Sequence, residues 1–201
     1  MTIKRSLQGT LALIMALFAI VTWSNEVYIE QVGDDSTISI TQDGSGNSVG
    51  TELNPAYIGG GSNTVTIDQV GTGNSLTMTV NGAGTTVTAS ATGDNNSQTI
   101  TCGSTVSASC TASTISSVIV GDSNTTIQDL GTGANHTSSI SITGDSNSVT
   151  HTSTNTGTTS ASITVTGSTN TIGVTQSGTT AKAVSVTSTG TGNTVSITQT
   201  N

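Results

Sequence analysis

From residue 25 onward the chain returns again and again to an eleven-residue line, N-x-V-x-I-x-Q-x-G-x-x-N, and this period restricts it to a stacked array of short strands. Asn63, Val65, Ile67, Gln69, Gly71 and Asn74 follow the line, as do Asn25, Val27, Ile29, Gln31 and Gly33. Each unit holds a strictly alternating strand followed by a glycine corner, where a side chain would clash or φ must be positive. Units open at Asn25, Ser36, Asn47, Asn63, Asn74, Thr85 and Asn96, then near Ser113. They continue from Asn124, His136, Asn147, Thr159, Asn170, Lys182 and Asn193.

Alternation assigns the faces. Val65, Ile67 and Gln69 point inward against Thr64, Thr66 and Asp68; Leu76, Met78 and Val80 point inward against Ser75, Thr77 and Thr79. Ile163 and Val165 follow the same parity, whereas Ile127 falls on the outward one. With two units per turn the expected fold is all-β: a two-sided β-solenoid of about seven turns, roughly 22 residues each, stacked like an amyloid at about 4.8 Å per rung. The array spans 25–201, with loop insertions expected near 51–62 and 102–112. Pro55 and the glycine run that follows it place the first outside any ladder, and both insertions are expected to leave from corners.

Residues 1–24 stand apart. Lys4 and Arg5 precede an apolar run from Leu11 to Trp23, a pattern that resembles a secretory signal peptide, with an uncleaved N-terminal anchor as the alternative. The run is shorter than the ~20 residues of a comfortable membrane span. Beyond it, eleven acidic residues face one base, Lys182. Such a surface has nothing to neutralise phosphates, which argues against a nucleic-acid partner. Tyr28 and Tyr57 are the only aromatic residues after the leader, so the core must be thin and built from small branched side chains.

Inward amides are costly alone, about 1–3 kcal/mol each when unpartnered, but identical amides on successive rungs satisfy one another. The expected ladder residues are Asn25, Asn47, Asn63, Asn74, Asn96, Asn124, Asn147, Asn170 and Asn193, all but Asn63 on alternate corners. Gln31, Gln42, Gln69, Gln176 and Gln199 are the expected inward amides. Chemistry is scarce: there is no G-x-S-x-G elbow, H-E-x-x-H pair or phosphate-binding loop, so no enzyme, cofactor or metal is expected. His136 and His151 read as a corner and an inward residue. Cys102 and Cys110 read as a disulfide stapling the second insertion, in keeping with an oxidising compartment. Corner acids such as Asp94, Asp122 and Asp145 read as solvated.

The repeat resembles the curlin repeat of curli fibre subunits, most closely at Asn25–Gly33, Ser36–Gly44, Asn63–Gly71, Asn170–Gly178 and Asn193–Gln199. That resemblance implies a secreted bacterial β-solenoid that associates end to end into amyloid-type extracellular fibres for adhesion or biofilm matrix, with a cell-surface or matrix partner. Departures are the replacement of the inward Gln by Val80, Ala91, Cys102, Ile142, Val165 or Ser188, the larger number of turns, the scarcity of aromatics and the two cysteines. An alternative reading takes the outward Thr77, Thr79, Thr99, Thr101, Thr150, Thr152, Thr175 and Thr198 as an ice-binding face, although Thr suits any exposed strand position. A virion or appendage fibre module is a third reading.

Overall fold

A computed structural model describes residues 24–103, 110–131 and 133–201. Apart from Ser24, the expected leader lies outside them, as does the middle of the second insertion. The described chain is a two-sided β-solenoid in which successive units alternate between two sheets and every strand pair is parallel. The shorter sheet stacks Thr37–Ser45, Thr64–Thr72, Thr86–Thr92, Thr114–Val120, Thr137–Thr143, Thr159–Thr166 and Lys182–Thr189. The longer sheet begins with Glu26–Val27 and ends with Thr194–Gln199. Pairing is in register, so like positions of the repeat fall above one another: Val65 on Val87, Ile140 on Ile163, Thr175 on Thr198.

The corner asparagines measure the turn. Their successive separations are 22, 27, 22, 28, 23, 23 and 23 residues. The basic turn therefore lengthens from 22 to 23 in the second half of the stack, while two turns carry insertions.

Inward side chains fill a narrow space between the sheets. Val65, Ile67, Leu76, Met78, Ile100, Ile115, Ile140 and Ile163 are all buried, each contributing about 1.5–3 kcal/mol of apolar burial. Ile127 is exposed, as its parity requires. The apolar residues fall into two clusters, one running from Val49 to Ile115 and Leu130, the other from Ile119 to Val186.

The first insertion does not leave from a corner. It splits a strand: Ser48–Val49 pairs with Glu26–Val27 below and Ser75–Leu76 above, and the same rung resumes at Ala56–Gly59, pairing with Ile29–Val32 and the strand Ser75–Asn81. Val49, Ala56 and Ile58 keep consecutive inward places and are fully buried. The ladder closes across the gap, because Gly50 N donates to Leu76 O at 2.8 Å and Ala56 N donates to Tyr28 O at 2.8 Å. Gly50 makes this exit feasible: its φ is +67°, and a Cβ there would lie 2.5 Å from both Ala56 N and Tyr28 O. Pro55, which has no N–H to give, falls in the extruded segment and not in the ladder. The second insertion leaves between the strand Ser97–Cys102 and the short strand Cys110–Thr111, and so does sit at a corner.

Candidate functional site

Repeated columns of side chains organise the described residues. In the first column, Asn Nδ2 donates to the Oδ1 of the asparagine one turn earlier. The distances are 3.1 Å for Asn74 to Asn47, 3.0 Å for Asn96 to Asn74 and 3.1 Å for Asn124 to Asn96. Asn147 and Asn170 continue the column at 3.0 and 2.9 Å. The same Oδ1 accepts the backbone N–H of the next asparagine, from Asn47 on Asn25 to Asn193 on Asn170. Nδ2 also reaches across the turn to a glycine carbonyl, at 2.7 Å for Asn74 to Gly93, Asn96 to Gly121 and Asn124 to Gly144. One amide thus ties two rungs and two corners, and the interior members are buried.

At the same corner, three residues before each asparagine, glycines stack one on another. Gly121 shows why no other residue fits: its φ is +131°, and a Cβ would lie 2.2 Å from Gly144 O. The acids that follow these glycines have a role beyond solvation. Thr72 N donates to Asp94 Oδ1 at 2.7 Å, Asp94 N to Asp122 Oδ1 at 2.7 Å, and Asp122 N to Asp145 Oδ1 at 2.9 Å. Each carboxylate holds the corner one turn below it.

Asn63 stands outside the asparagine column, on the other corner with Ser36, Thr85, Ser113, His136 and Thr159. There its Oδ1 accepts Thr85 N at 2.9 Å, and its Nδ2 donates to Gly59 O and Gly60 O. The glutamines form two separate pairs and no continuous ladder. Gln42 Nε2 donates to Gln69 Oε1 at 2.8 Å, and Gln176 Nε2 to Gln199 Oε1 at 2.8 Å. Gln31 pairs with Ile58 in the register and turns instead to Gly33 O.

A polar seam between the two apolar clusters was not among the expected features. Gln98 Nε2 donates to Ser117 Oγ at 2.9 Å, and Ser117 Oγ meets Thr126 Oγ1 at 3.0 Å. Gln128 Nε2 donates to Ser138 Oγ at 2.8 Å, so the Ser138 hydroxyl is free to donate to His151 Nδ1, 2.8 Å away. In that arrangement His151 presents Nε2–H to Gln176 Oε1 at 3.0 Å, the pattern of a neutral ring. Burial lowers its pKa below the ordinary 6.5; the Gln176 hydrogen bond opposes this shift and the neighbouring His136 adds to it. His136 is buried at its corner with Nδ1 2.7 Å from Thr159 Oγ1. The parity of Gln98 and Gln128 marks them as inward in the sequence. Their departure from the usual Gln position in the repeat kept them out of the expected ladder.

Cys102 and Cys110 are joined in a disulfide, with Cα atoms 5.5 Å apart. Among the described residues no group of three or more His, Cys, Asp or Glu is placed to hold a metal ion. The outward threonines do align, Thr77 on Thr99 and Thr79 on Thr101, then Thr152 on Thr175 and Thr175 on Thr198. Ile127 and Asp129 break both ranks before Thr150 and Thr152. At the two ends of the described stack the inward row is less covered: Val27 is 46% exposed, and Ile29, Ile38, Ile40, Val184, Val195 and Ile197 are only half-buried.

The family model described as the curlin associated repeat matches residues 24–49, the first turn of the solenoid from Ser24 to Val49. No curated protein and no solved structure matches the chain.

Proposed function

We propose that the chain is a structural, curli-like subunit of an extracellular amyloid-type fibre that serves adhesion or a biofilm matrix. The observation that carries the reading is the in-register parallel stack, in which apolar inward side chains are half-covered at both ends of the described residues. Unpaired strand edges of this kind are templates for further strands, and a second copy offers strands of the same pitch and the same inward pattern. The curlin associated repeat in the first turn supports the same reading. Columns of amides, glycines and carboxylates serve rigidity and repeat, as expected of a building element. The leader-like N-terminus and the disulfide both support export.

The test is assembly. Purified protein spanning 25–201 should form thioflavin-positive filaments that resist detergent, with growth seeded by preformed fragments. Protein that remains monomeric at high concentration, and is unresponsive to seeds, overturns the reading.

A further inference from the structure

The split strand builds a groove that the repeat alone would not make. The extruded residues 51–55 stand over the outer face of the longer sheet and, with the strands beneath, flank an open groove of about 440 Å³. This lies within the ~300–1,000 Å³ typical of small-molecule sites. The wall is closed on itself: Thr51 N donates to Asn54 O at 2.9 Å, and Asn54 N donates to Thr51 O at 3.1 Å and to Thr51 Oγ1 at 3.0 Å. A loop pinned in this way on a regular sheet pays little ordering entropy on binding. Three side chains on consecutive rungs form the floor, because Tyr57 pairs with Glu30 on one side and Thr79 on the other. Asn54 and Thr77 add polar groups, and Leu53, 90% exposed, supplies an apolar lip.

We propose that this groove binds a neutral hexopyranose disaccharide. An aromatic ring accepts the apolar C–H face of a sugar, while a carboxylate, an amide and hydroxyls address its rim of hydroxyl groups. The groove has all of these within three rungs. No lining residue is cationic, so a sugar acid or a phosphate would find no partner and would meet the Glu30 carboxylate. An added peptide strand is also disfavoured, because the sheet backbone beneath is already paired on both sides. The site does not depend on fibre assembly and belongs to the single subunit.

The experiment is saturation-transfer NMR on freshly prepared monomer with cellobiose, lactose and maltose at millimolar concentration, and with a glucuronate-containing disaccharide as the anionic probe. At least one neutral sugar should show transfer, strongest on the protons of one ring face, and the anionic probe should show far less. Tyr57→Ala should weaken the affinity about tenfold while the β-sheet circular dichroism is unchanged. Glu30→Gln, on the exposed first rung, provides the second variant and should weaken it several-fold. Absence of transfer from all three neutral sugars overturns the proposal. So does binding that survives both substitutions in folded protein, or a preference for the anionic probe. None of these results bears on whether the protein assembles into filaments.

Discussion

Asn124 shows how much a single side chain carries in this architecture. Its amide donates to Asn96 Oδ1 and to Gly144 O, and its own Oδ1 receives both the backbone and the side-chain N–H of Asn147. Alanine at this position removes those bonds and strands buried donors on Asn147, each costing about 1–3 kcal/mol when unmet. Asn124→Ala should therefore lower monomer stability by roughly 3 kcal/mol in urea denaturation. Gly121→Ala should cost at least as much by another route, since the added methyl collides with a backbone carbonyl that cannot rotate away. If either variant unfolds at the parental midpoint, the column does not carry the load assigned to it. The glutamines set the rule in relief. Where Gln meets Gln, as in Gln42–Gln69, the amides satisfy one another. Gln98 and Gln128 lack such a match, and the Oε1 of each is buried with no hydrogen-bond partner among the described residues. Identity between rungs is what satisfies both ends of a buried amide in the asparagine column.

At the scale of the strand, the seam through His151 makes the middle of the stack sensitive to acid. The folded ring has its pKa lowered, so below about pH 6.5 the unfolded chain binds a proton that the folded one refuses. Stability from this group is present above the unfolded value and declines as pH falls through it. Among the described residues the titratable neighbour acting on it is His136, which reinforces the shift. His151→Gln, which keeps an amide between Ser138 and Gln176, should flatten the fall in thermal midpoint between pH 7 and pH 5 relative to the parent chain. An unchanged slope would show that His151 is not the group responsible. Strand faces are legible in the sequence, because alternation admits only two answers: Val65, Ile67 and Gln69 lie inward, and even Ile127 lies outward as its parity demands. The place of the first insertion is not legible there. Pro55 says where a ladder donor is missing, but nothing local says that Ala56 re-enters the same rung at the next inward place. That is decided by the pairing of Ala56–Gly59 with neighbours both before and after it in the chain. The polar seam is hidden for a related reason, since its partners come from both sheets and from separate turns.

For the whole molecule, the repeat alone announces the solenoid, because no other packing keeps Val, Ile, Gly and Asn in phase over so many units. Turn length drifts from 22 to 23 without loss of register, since extra residues are taken up at corners. Under the proposed function, by contrast, assembly rests on the ends of the described stack. Ile197 lies in the last rung, half-buried against the second apolar cluster and uncovered on its outer side. A lysine there places an unpaired charge where another copy would have to dock. Ile197→Lys should retain the monomer's β-sheet signature and melt cooperatively, yet fail to extend preformed seeds in a thioflavin assay. Normal elongation by this variant would move the contact surface away from the stack ends.

The split rung has a consequence for how such a chain can change over time. Five residues leave between Gly50 and Ala56, yet the backbone bonds above and below close as if they were absent. Axial rise and contour length are thereby decoupled. New surface can be added partway along a strand without shifting the height of any other rung, so what the stack displays can diversify while the spacing of its supports stays constant.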